Sequence, residues 1–209
     1  MTLFFRPKSR VRRPASDAAL RDRLPPGQIV ARRWPVLHQG EVPTFDPATW
    51  DFQVYGQLER PLRLTWQEVQ DLPRTVMTGD LHCVTRWSTL DNTWGGVLLR
   101  DVLDRAGVAD DAAHLLIHCD GGYTTNLAIA AIDARVLLAT DHDGAPLTPE
   151  HGFPLRIVFP DRYAWKSAKW VRGLEVRIED EPGFWERYGY HNEADVWEEE
   201  RFAPDGDAR

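Results

Sequence analysis

Apolar residues recur at Trp50, Phe52 and Val54 with Asp51 and Gln53 between them, the two-residue period of a strand with one buried face. Gly56 and Pro61 punctuate the next stretch, and Thr65 with Glu68 then forms a capping-box pair that predicts a short helix ending near Pro73. Over Val97 to Ala106 the period becomes helical. Leu99, Val102, Leu103 and Ala106 share one stripe, and Gly107 supplies the stop. Further strands are predicted at Ala113 to His118, Tyr123 to Ile129, Leu155 to Phe159 and Leu174 to Ile178, the first two joined through Gly121 and Gly122. Residues 79–96 carry no clean period and read as a loop between a strand and a helix. The sum is a mixed α+β fold, richer in strand and loop than in helix.

The chain has 209 residues, of which 43% are hydrophobic and 27% charged, with 15 Gly and 15 Pro. That is globular composition for one principal domain, and it excludes collagen-like, coiled-coil and fully disordered chains. No apolar run approaches the length of a membrane span, and the short patch Leu3 to Phe5 precedes its charges, so a cytoplasmic chain without membrane insertion is expected. The net charge of -7 argues against a general nucleic-acid binder, but it is unevenly placed. Residues 1–33 hold nine Lys/Arg against two Asp, and residues 179–209 hold eleven Asp/Glu against three Arg. Such ends are either solvated tails or surfaces that attract one another or a partner. A basic arm over 1–33, a domain over 34–202 and a tail over 203–209 are therefore expected.

Two cysteines are too few for a disulfide framework or a four-cysteine zinc site, so Cys83 and Cys119 are judged singly. Cys83 beside His82 is open to three readings: nucleophile, metal ligand, or small buried hydrophobe. Neighbouring side chains on extended backbone point to opposite faces, which weakens a Cys–His hydrolase pair. A single thiolate could bind a soft or high-valent metal only with ligands from elsewhere. In residues 151–170, Arg156, Lys166, Ser167 and Lys169 have the composition of a phosphate cradle, although the same cations would suit a solvated strand face. Residues 183–202 hold Tyr188, Tyr190, His191 and two tryptophans in an acidic setting, more aromatic than a free tail.

The order HCVTRWS, GGY, HGFPLRIVFP, WKSAKWVRGLEV and GFWERYGYHN resembles the molybdopterin-binding domain of the sulfite oxidase family over roughly residues 34–202. It is most similar to short bacterial sulfite-oxidase-like oxidoreductases without a haem or C-terminal dimerisation domain. The resemblance implies a molybdenum–molybdopterin cofactor with Cys83 as the metal's protein ligand and His82 or Trp87 beside it to orient the thiolate. It also implies His151, Arg156, Ser167, Ala168 and Lys169 as contacts to the pterin and its phosphate, Asp120 as a further pterin contact, and Tyr190 as the active-site tyrosine. Cys119 is expected in the core. Where sulfite oxidases carry an Arg-Asn-His pattern before Pro-Val, this chain reads Ala31, Arg32, Arg33, Trp34, Pro35, Val36, which departs from their anion pocket. Arg86 either restores positive charge near the metal or points to solvent.

The expected function is oxygen-atom transfer to or from a small polar or anionic substrate, with electrons exchanged through a separate partner. Sulfoxide reduction, a non-catalytic pterin-binding module and a cysteine hydrolase are the alternatives.

Overall fold

The computed structural model describes residues 22–204; most of the basic arm and residues 205–209 of the tail lie outside it. Eleven strands and three short α-helices occur among the described residues. The strands are β1 (Ile29–Val30), β2 (Asp51–Gly56), β3 (Leu62–Thr65), β4 (Thr75–His82), β5 (Trp87–Leu98), β6 (His114–Cys119), β7 (Thr124–Ala128), β8 (Leu137–His142), β9 (Ala145–Pro146), β10 (Arg156–Val158) and β11 (Val171–Arg177). The helices are α1 (Trp66–Gln70), α2 (Leu99–Ala106) and α3 (Phe184–Arg187).

One sheet runs β1-β5-β8-β10, with β4 also on β5 and β9 on β8; the other runs β3-β2-β11-β6-β7. The alternation at Trp50, Phe52 and Val54 buries these side chains in the main core, where Leu115 and Ile117 of β6 and Leu174 and Val176 of β11 meet them. The stripe of α2 joins the same core, and so does Cys119. Thr65 caps α1 as expected: its hydroxyl accepts from the Glu68 N–H and the Glu68 carboxylate accepts from the Thr65 N–H. Gly107 ends α2 at φ 69°. That helix begins at Leu99 and not at Val97, because Val97 and Leu98 are paired with Leu138 and Leu137 of β8.

The larger difference falls on residues 79–96, which form most of a β-hairpin instead of a loop. Their polar residues conceal the strand period because they satisfy one another. Asn92 donates to the Gly79 and Thr89 carbonyls, Trp94 Nε1 donates to Gly79, and the Asp80 carboxylate accepts from the Asp91 N–H and from Arg23. No described helix is long and apolar enough to cross a membrane.

Gly96 lets β5 lie against β8, since a Cβ there would sit 2.1 Å from the Leu138 carbonyl oxygen and 2.7 Å from the Ala139 Cα. Gly96→Ala is expected to lower unfolding free energy by about 3 kcal/mol, against about 1 kcal/mol for Thr65→Ala. Urea midpoints of the two variants check the order.

Candidate active site

The hairpin turn Cys83–Arg86 puts the Cys83 thiol at the wall of an open cleft of about 930 Å³. The turn closes through the Arg86 N–H to the Cys83 carbonyl and the Cys83 N–H to the Trp87 carbonyl. Cys83 is only 8% exposed, and the Thr85 hydroxyl donates to its sulfur at 3.2 Å. Arg86 is exposed and does not line the cleft.

Arg156 enters the same cleft from β10, and its surroundings are unusual for a cation. It is 2% exposed, donating to the carbonyls of His151 at 2.9 Å, Ser167 at 2.9 Å and Ile157 at 3.3 Å, while the rings of Trp34 and Trp94 face its guanidinium at 5.2 and 5.6 Å. It has no ion pair with a carboxylate among the described residues. Burial pulls its pKa down to about 9. Lys169, also on the cleft, donates to the Leu37 and Glu150 carbonyls; burial first and the Arg156 charge second hold its pKa to about 7. Gly152 lies between them, with a Cβ there coming within 3.1 Å of Arg156 and 3.2 Å of Lys169. Two poorly solvated cations, with no carboxylate paired to either among the described residues, give this end of the cleft the chemistry that suits an anion.

Trp165, Trp185 and Tyr190 form the opposite wall. Tyr190 stacks on Trp185 with centroids 5.0 Å apart and meets Trp165 edge-on at 4.9 Å. Burial, then the Cys83 charge, raises its pKa, so the hydroxyl keeps its proton as a donor. Trp165 is fixed by its Nε1 donating to Glu186 at 3.1 Å and by Tyr123 donating to its carbonyl at 2.7 Å. A smaller lobe of about 430 Å³ adjoins the cleft through Leu37, His38, Gln39, Trp165, Trp185 and Lys169, and Ser167 and Ala168 line it.

Of the residues singled out from the sequence, Cys83, Arg156, Ser167, Ala168, Lys169 and Tyr190 thus come together around one joined cleft. His82, Asp120 and His151 do not line it. His82 is buried behind the hairpin with Nδ1 2.8 Å from Ser88 Oγ, and Asp120 accepts from Arg172 at 3.2 Å. His151 stands behind Trp34, their rings stacked at 3.8 Å. Lys166 turns away altogether: it pairs with Glu186 at 2.6 Å, the two side chains being 1% and 2% exposed. Leu37, His38 and Gln39 are cleft residues that nothing in the sequence pointed to, and Trp34, named there only within the stretch that departs from the anion pocket, lines the cleft as well.

Residues 39–185 match the model of a protein family described as the oxidoreductase molybdopterin binding domain. The chain is 49% identical over 185 residues to the uncharacterized oxidoreductase YuiH of Bacillus subtilis (strain 168), covering 88% of this chain and 93% of that protein. It is 27% identical to the putative protein-methionine-sulfoxide reductase subunit YedZ1 of Azospira oryzae, covering 79% of this chain and 64% of that protein. Among solved structures it is similar in fold to the sulfane dehydrogenase SoxCD from Paracoccus pantotrophus, with a TM-score of 0.64 at 22% identity over 73% of this chain and 43% of that one.

The cations predict a pH signature for the cofactor-free protein. Burial, then Lys169 and Arg156, lowers the His151 pKa from 6.5 to about 4. Between those values the unfolded chain binds a proton that the folded chain does not, so stability falls as pH falls through that window. For Lys169, between pH 10.5 and about 7, the sign is the same. Urea midpoints are expected to drop less in His151→Gln from pH 6.5 to 4, and less in Lys169→Met from pH 10 to 7, than in wild type. Parallel curves would remove the desolvation account.

Proposed function

The chain belongs to the oxidoreductase molybdopterin binding domain family, and on that premise we propose that it is a molybdenum–molybdopterin oxidoreductase transferring an oxygen atom to or from a small polar substrate, with Cys83 as the metal's protein ligand. The observation that carries this reading is the meeting, on one cleft, of a buried thiol with two cations that lack a carboxylate partner among the described residues. No group of three or more His, Cys, Asp or Glu among the described residues could hold a metal ion. A metal at Cys83 therefore has to arrive with ligands of its own, as a pterin dithiolene supplies. The phosphate of the same cofactor fits Arg156 and Lys169, whose side chains pack where a Cβ on Gly152 would fall.

When bound, the molybdenum–pterin group supplies the two-electron redox change and the oxygen exchange. The chain's own residues bind and orient. Arg156 and Lys169 neutralise the phosphate, Thr85 donates to the Cys83 sulfur, and Tyr190 holds a proton toward the cleft as a hydrogen-bond donor to substrate. The aromatic wall excludes water around the reacting centre. Electrons pass to or from a separate partner.

Between sulfite oxidation and sulfoxide reduction, the wall favours the second. Beside Cys83 it presents Val84, Thr85, Trp165, Trp185 and Tyr190, and the side chains of Arg32 and Arg33 are exposed and do not line the cleft. With Arg156 and Lys169 engaged by phosphate, an anionic substrate would be desolvated without a charged partner, whereas a neutral S-oxide needs one donor and apolar surface.

Metal analysis and detection of oxidised pterin on protein made with a working molybdopterin pathway test the cofactor; about one of each per chain is expected. Absence of both from folded protein would contradict the reading. Cys83→Ser is expected to abolish turnover, Arg156→Ala to reduce retained pterin, and Tyr190→Phe to lower kcat about a hundredfold with molybdenum retained. A neutral sulfoxide is expected to be reduced with a chemical electron donor, and sulfite oxidation under an electron acceptor to be much slower.

A further inference from the structure

The Cys83 turn has the cleft on one side; on the other it is held by segments from both ends of the described chain. Gln28, just before β1, is buried, and its Nε2 donates to the Cys83 carbonyl at 3.0 Å. Its Oε1 accepts from the Ser88 hydroxyl at 3.3 Å. Because that hydroxyl proton is committed to Gln28, the 2.8 Å contact between Ser88 Oγ and His82 Nδ1 requires the imidazole to donate. The run His82–Ser88–Gln28–Cys83 is thus ordered in one direction.

Arg201 reaches the turn from the other end of the chain. Only 7% exposed, it donates from Nη1 to the Val84 carbonyl at 2.8 Å and from Nη2 to the Pro26 carbonyl at 3.1 Å, with its guanidinium 4.6 Å from the centre of the Tyr163 ring. One side chain therefore ties the C-terminal segment to the N-terminal segment and to the turn. Both Gln28 and Arg201 lie outside the residues matched by the family model.

The turn needs such restraint. Arg86 sits at φ 72°, a left-handed conformation that usually falls to glycine and costs an arginine of order 1 kcal/mol. The local bond from the Arg86 N–H to the Cys83 carbonyl has to hold against that cost. The Ile29 N–H, donating to the Arg86 carbonyl at 3.0 Å, adds a third restraint from the N-terminal segment.

We propose that Gln28 and Arg201 are positioning residues for Cys83, holding the turn so that the sulfur stays directed into the cleft. The two ends of the chain then set the geometry of the thiolate toward the metal. The consequence for the metal rests on the function proposed above; the restraint of the turn does not.

The chain provides its own control, because its two cysteines are buried in different places: Cys83 in the turn and Cys119 in the main core. Iodoacetamide labelling of the cofactor-free full chain, read site by site by mass spectrometry, separates local opening from global unfolding. Gln28→Met and Arg201→Met are expected to raise the Cys83 rate about tenfold, the effect of losing a hydrogen bond or two, with the Cys119 rate unchanged. Arg201→Lys, which keeps a cationic donor, is expected to recover part of the protection. Equal increases at both cysteines, or none at Cys83, would overturn the proposal, and if one Met variant does not fold the other decides it. In the loaded protein the same variants are expected to shift the sulfur-to-metal charge-transfer absorption at unchanged molybdenum and pterin content; an unchanged spectrum would overturn the role toward the metal. Wild-type protein that takes up no molybdenum would contradict the proposed function, and the labelling ratio would still decide the restraint.

Discussion

A buried guanidinium with no carboxylate partner among the described residues is the constraint around which the cleft is arranged. Arg156 is kept charged by three carbonyls and two indole faces, none of which cancels its charge. Such an arrangement is costly for a protein by itself and is stabilised when an anion arrives. The depressed pKa of the neighbouring Lys169 has the same first cause, burial, with the Arg156 charge adding to it. β10 is the short strand that delivers Arg156, and β8 pairs with it on one side and on the other with the long β5, which continues from the Cys83 turn. The two functional ends of the cleft are therefore set by one sheet.

The opposite wall depends on a different device. Lys166 and Glu186 form a buried pair beneath it, supplemented by Thr125 and Asn126, and the Glu186 oxygen that takes the lysine also takes the Trp165 Nε1. A buried pair of this kind contributes more to specifying one arrangement than to net stability. Here it fixes the ring on which Tyr190 leans.

Elements governed by local rules were legible in the sequence. Thr65 and Glu68 cap α1, Gly107 stops α2, and the alternation at Trp50, Phe52 and Val54 is the strand it resembles, because each is decided within a few residues. Cys83, Arg156, Lys169 and Tyr190 were found through a motif order, and the structure gathers them on one cleft. The features that were not legible depend on contacts distant in the chain. The hairpin over residues 79–96 hides its period because Asn92 and Asp80 satisfy neighbours across the turn, and charge alone did not separate Lys166, which pairs with Glu186, from Lys169, which the motif order singled out. Trp34 and Gln28 act across 122 and 55 positions, distances over which no spacing rule operates.

Cys83 is proposed to supply one sulfur to a metal whose remaining sulfur ligands come with a pterin held by the cations. X-ray absorption at the molybdenum edge of the loaded protein, compared between wild type and Cys83→Ser, tests it most directly. The variant is expected to keep its molybdenum, through the Arg156 and Lys169 end of the cleft, and to lose one sulfur from the metal's nearest shell. An unchanged sulfur shell in the variant would contradict it.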